Sequence, residues 1–112
     1  RVFIAPTRFA AGIPIKVIDA ARHGVPVVAS SLVAGQLGWR NGVELLTADT
    51  APEFAAACVA LHSDRALWAR VRETALAAVR RDFDAAAFAA GVCEEAQATY
   101  DSRRDAWSAS QP

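Results

Sequence analysis

Apolar residues along the chain fall first into three short runs and then into three long helical patterns. Val2-Phe3-Ile4-Ala5 is β-branched and aromatic and is closed by Pro6, the make-up of a strand buried on both faces as in a parallel sheet. Val25-Pro26-Val27-Val28-Ala29 is a second buried run, with its proline at the start, where a ladder loses least, and Ser30-Ser31 at its end. Asn41-Gly42 suits a tight turn into a third run, Val43-Glu44-Leu45-Leu46-Thr47. Between the first two runs the pattern predicts a loop over 7–12 and a helix from Ile13 to His23. Pro14 sits in its first turn, where a missing N–H costs nothing, and Gly24 serves as a left-handed cap. Val17, Ile18 and Ala21 of that helix face a sheet, whereas Lys16, Asp19 and His23 share the opposite flank at spacings of three and four. The stretch 32–42 carries three glycines around Trp39 and Arg40 and is predicted to be mostly turn, with one short helical piece.

After Asp49 the pattern is helical to the end. Thr50 is placed to cap a helix with Pro52 and Glu53 in its first turn, running to about His62 with Phe54, Cys58 and Leu61 on one face. Ser63 or Asp64 caps the next, whose stripe is Leu67, Trp68, Val71, Ala75, Leu76 and Val79 before Arg80-Arg81-Asp82. A last helix from about Asp84 repeats Phe88, Val92, Ala96 and Tyr100, and the tail over 108–112 frays. The expected fold class is therefore α/β, a partial Rossmann-like parallel sheet of about three strands with flanking helices and a helical C-terminal segment, in one domain over 1–107. Three parallel strands leave an edge that wants pairing. Either further strands precede Arg1 or the chain associates with itself through that edge. The start on a strand without a methionine points to an excerpt of a longer protein.

Composition narrows the partners. Twelve Lys and Arg balance twelve Asp and Glu, so no overall field favours nucleic acid or an anionic membrane. No run is long and apolar enough to span a bilayer, and no secretion signal is present. Cys58 and Cys93 lie in helical patterns without CxxC spacing and are expected as buried free thiols of a reducing compartment, with no metal site implied.

The chemistry concentrates where the first loop meets the first helix. Gly12 and the first helical N–H groups form an anion-binding concavity that a phosphate can approach closely. Lys16, the chain's single lysine, adds a cation in the first turn, where the helix dipole alone disfavours it. Asp19, three residues on, is a pure acceptor suited to vicinal hydroxyls. Spacing alone leaves a solvated Lys16–Asp19 pair equally open, worth about 0.2–0.5 kcal/mol. By itself Arg8 reads as a loop ion pair, His23 as a helix C-terminal cation, and Ser30 and Ser31 as turn formers. Trp39 and Trp68 read as packing.

The ordered set P-x-R-F-x-A-G-x-x-x-K-x-x-D-A-x-x-x-G-V-P-V-V-A-S, from Pro6 to Ser30, resembles the donor-binding segment of GT-B-fold glycosyltransferases of family 4, the group 1 glycosyltransferases. Asn41-Gly42-Val43-Glu44-Leu45-Leu46, Asp49 and the Arg80-Arg81-Asp82-Phe83-Asp84 exit are similar to that family's downstream order, so the likeness runs from Val2 to about Phe88. It implies the C-terminal, donor-binding part of a GT-B enzyme that moves a sugar from a nucleotide-diphosphate sugar to an acceptor with retained configuration and without a required metal or other cofactor. The family's paired glutamates fall on Ala11 and Asp19. A subset of relatives with R-F-G-A-G and a lysine is matched by Arg8, Gly12 and Lys16. The resemblance thus assigns donor binding to Arg8, Ala11, Gly12, Ile13, Lys16 and Asp19, with Asp19 on the ribose, and no catalytic residue to this chain. It also implies an N-terminal domain as partner, an inactive isolated fragment, and a cytoplasmic location, with peripheral attachment at the inner membrane face left open. A non-catalytic nucleotide- or partner-binding α/β module is the alternative. A dehydrogenase or receiver domain is disfavoured, since no GxGxxG follows a strand and no acid cluster is present.

Overall fold

The computed structural model describes residues 1–111. The elements are β1 (Phe3–Ala5), α1 (Ile15–Arg22), β2 (Val27–Ala29), α2 (Ser31–Leu37), β3 (Leu46–Thr47), α3 (Ala51–Ser63), α4 (Arg65–Asp82) and α5 (Ala85–Ala109). All three strands are parallel and lie in the order β1-β2-β3. Phe3 pairs with Val27 and Ala5 with Ala29, and Val28 in turn opposes Leu46. The fold is α/β with a three-stranded parallel sheet flanked by helices.

Side chains on β2 alternate between two apolar clusters, as the period of two requires. Val27 and Ala29 join Val17 and Ala21 of α1, Val33 and Ala34 of α2, Trp39, and Ala75, Ala78 and Val79 of α4. Val28 joins Leu61 of α3, Val71 of α4 and Ala48, with Phe54, Cys58 and Trp68 packed against them. The central strand is therefore buried on both sides, and α4 contributes to both clusters. Trp39 and Trp68 pack, as expected; the Trp68 Nε1 also donates to the Arg1 carbonyl at 3.0 Å.

Several boundaries move for identifiable reasons. β1 was expected to be buried on both faces, but it is an edge strand whose Ile4 is 53% exposed. α1 begins at Ile15 rather than Ile13, because a residue before proline is pushed out of the helical region and Pro14 itself has ψ 73°. α2 is the short helical piece expected within 32–42, and it takes up more of that stretch than the glycines suggest. Its cap is Ser30, whose Oγ accepts from the Val33 N–H at 3.4 Å, and burial of Val33 and Ala34 outweighs the glycine content. The third strand shrinks to two residues because the Glu44 carboxylate folds back to accept from the Arg40 N–H at 2.8 Å and from its guanidinium at 3.3 Å, within a tight turn over 42–44 that Asn41 and Leu45 close as a bridge. Neither thiol is fully buried: Cys58 is partly covered and Cys93 is exposed, and both are free.

The helical caps after Asp49 follow the sequence closely. Thr50 Oγ1 accepts from the Glu53 N–H at 3.3 Å, Asp64 accepts from Leu67 N at 3.0 Å, and Asp84 accepts from Ala86 N at 2.8 Å. Residues 1–81 form one compact unit and the chain from Asp82 a second, which is α5 and its approach. Within that second unit no residue of α5 is buried, and the stripe Phe88, Val92 and Tyr100 is exposed.

Two measurements check this packing. Leu61, at 2% exposure, should cost about 2–5 kcal/mol when changed to Ala, read by denaturant unfolding. Val59, on the exposed side of the same helix, should stay within about 0.5 kcal/mol when changed to Ala. Burial pushes the Glu44 carboxyl up, but the bonds from Arg40 outweigh it and hold the group below its ordinary value of 4.5. A lowered folded value means that Glu44 stabilises the protein above the unfolded value and that this contribution is lost as pH falls through the folded one. Glu44→Gln should therefore flatten the acid limb of a melting-temperature profile below about pH 4.5.

Candidate functional site

In a parallel sheet every strand runs into its crossover at the same edge, so the loops after β1, β2 and β3 gather at the C-terminal ends of the strands. The longest of them, 6–14, leads from β1 into α1. Gly12 adopts φ +112°, a conformation that L side chains rarely take, and open space surrounds the position where a Cβ would lie. Glycine is thus required by the backbone angle and leaves the main chain open to close approach. Ile15 N–H donates to the Ile13 carbonyl at 2.9 Å and Val17 N–H to that of Pro14 at 3.0 Å. Among the described residues, the N–H groups of Gly12, Ile13 and Lys16 have no partner within the protein.

Gly12, Ile13 and Lys16 line one cavity of about 640 Å³, in which Lys16 is the sole charged side chain. Ala11 stands between this cavity and a smaller one of about 450 Å³ lined by Arg8, Phe9 and Leu32. Arg8 also lines a third, of about 750 Å³, which reaches to Asp49 at the end of β3. No carboxylate pairs with Arg8 or Lys16 among the described residues. Asp19 lines none of these cavities. Its carboxylate takes a 2.7 Å bond from Arg22 and lies 3.7 Å from the His23 Nδ1. The solvated pair that spacing allowed for Asp19 is therefore made with Arg22 and not with Lys16. Helical side chains lean toward the N-terminus, so Arg22 reaches back over Asp19 while Lys16 leans away from it.

Asp49, which the sequence places only in the family's downstream order with no role of its own, is held at this edge. Asp49 Oδ1 accepts from the Ser31 N–H at 2.9 Å, and Oδ2 accepts from the Ser31 hydroxyl. The hydroxyl bond, and then the N–H bond, holds the Asp49 carboxyl below its ordinary value of 3.8. Its own N–H donates to Glu53 at 2.7 Å, within the cap of α3. The one signal in the sequence is an acid just past a parallel strand, at the edge where ligands of such sheets bind. Among the described residues no group of three His, Cys, Asp or Glu side chains could hold a metal ion, and no helix is long and apolar enough to cross a membrane.

Residues 1–64 match the family model described as Glycosyl transferases group 1. That span is more than half of the chain, runs from β1 through α3, and contains every site residue named above. No curated protein and no solved structure matches the chain.

Proposed function

The chain belongs to the group 1 glycosyltransferases, and from that premise we propose that the loop 6–14 and α1 grip the diphosphate and ribose of a nucleotide-sugar donor. The observation that carries this reading is the meeting of three free N–H donors, at Gly12, Ile13 and Lys16, with an ammonium that has no carboxylate partner. A cation near a helix N-terminus opposes the dipole, and a bound anion reverses the sign of that interaction. The open backbone at Gly12 lets phosphate oxygens reach the N–H groups directly. Asp19, about 4.5 Å further along the helix axis, is the acceptor for the ribose hydroxyls. Arg22 fixes its carboxylate.

In the transfer step, negative charge grows on the diphosphate oxygen as the bond to the sugar breaks. Donors already aimed at that oxygen stabilise the charge without reorganising, which is this unit's contribution to the rate. Retention of configuration belongs to the same proposal. So does an N-terminal domain that forms the acceptor side of the cleft, without which the 112-residue chain binds donor and does not turn it over. A non-catalytic nucleotide-binding module is favoured by one observation, that Ala11 offers no side-chain donor or acceptor beside the grip.

Titration calorimetry of the full-length protein with UDP, GDP and ADP tests the grip. One of the three should bind, and Lys16→Ala should weaken it about tenfold or more, the worth of a charged hydrogen bond of about 1.5–3 kcal/mol. Failure of all three to bind, or an unchanged affinity in Lys16→Ala, overturns the reading. Turnover of the bound nucleotide's sugar derivative separates the transferase from the non-catalytic module.

A further inference from the structure

Charge is divided between the two larger cavities in a way that suits two halves of one ligand. The cavity beside Gly12 has Lys16 as its one charged group and is therefore cationic. The 750 Å³ cavity holds Arg8 and Asp49 and is neutral on balance. Ile4, Pro6 and Thr7 line both, so the two are contiguous across the end of β1. A phosphate belongs in the first and is repelled by the carboxylate of the second.

We propose that the cavity between Arg8 and Asp49 is the pocket for the glycosyl group of the donor, with Asp49 as the residue that reads its hydroxyls. This inference rests on the donor grip proposed above. A pyranose ring presents C–H faces and hydroxyl edges. The cavity answers both, with Phe54 and Ile4 as apolar surface, the Arg8 guanidinium and the Thr7 and Thr50 hydroxyls as donors, and Asp49 as acceptor. A carboxylate has about four acceptor positions. Ser31 uses two of them, one on each oxygen, which holds the group in place and leaves the others for sugar hydroxyls. The Ser31 backbone N–H is enough to keep the carboxylate in place, and Asp49 supplies a side-chain acceptor that Ala11 does not.

The test compares each nucleoside diphosphate with its sugar derivative on the full-length protein, using UDP against UDP-glucose, ADP against ADP-glucose and GDP against GDP-mannose. Asp49→Asn should leave the affinity for the diphosphate that binds within about twofold and weaken its sugar derivative about tenfold or more, the range of a charged hydrogen bond. Ser31→Ala, which removes the hydroxyl but leaves both the carboxylate and the N–H that holds it, should keep the wild-type ratio of the two affinities within about threefold. If Asp49 only fastened α2, both variants would lower the melting temperature and weaken both ligands alike, and that outcome overturns the proposal. So does an unchanged affinity for the sugar derivative in Asp49→Asn. Absence of diphosphate binding in the wild-type protein sinks the donor grip itself, and the sugar pocket falls with it.

Discussion

The rest of the structure depends on the burial of β2 from both sides. Val27, Val28 and Ala29 have essentially no exposure, and a strand so enclosed can keep its backbone satisfied only by pairing on each flank, here with β1 and β3. Because the pairings are parallel, each strand must leave through a crossover. The crossover helices α1 and α2 cover one face, and α3 with α4, which follow β3, cover the other. One short run of small apolar residues thereby sets the sheet, both apolar layers and the edge at which the strand-end loops collect.

That edge carries the proposed donor grip. The first acid in the chain is Asp19, although acids and bases balance overall, so Arg1, Arg8 and Lys16 occupy a stretch with no carboxylate of its own. Local charge rather than net charge thus underlies the anion grip proposed for the loop after β1. Asp49 enters from the far side of the sheet, carried by β3 and held by Ser31 of α2. It brings the opposite sign to the neighbouring cavity. The proposed division between a phosphate region and a polyol region rests on which strand end each charge is attached to.

The elements easiest to read were those whose signals are local. The caps at Thr50 and Asp84 and the left-handed Gly24 are decided within four residues of themselves and stand where the sequence places them, and of Ser63 and Asp64 the structure takes Asp64. The start of α1 lies two residues later than the sequence placed it: Pro14 was read into the first turn, whereas Ile13 precedes a proline and Pro14 itself is the cap. α2 and the short β3 were harder. In both, burial and a side chain folding back, Ser30 onto Val33 and Glu44 onto Arg40, override the composition of the segment.

The same distinction divides the candidate site. Gly12, Lys16 and Asp19 lie on one loop and helix, and the sequence by itself determined that the first two share a helix start, because spacing along a helix is fixed by its pitch. The family likeness, carried by residues in fixed order, was equally present in the linear chain. Asp19 and Arg22 pair at i,i+3 within α1, a contact of the same local kind. Only the tertiary structure decided that β1 is an edge with Ile4 exposed and that Asp49 meets Ser31 eighteen residues away. Helical pitch and capping act over a few residues and can be read in order along the chain. Strand order and the meeting of distant loops depend on how whole layers pack, and no spacing in the sequence encodes that distance.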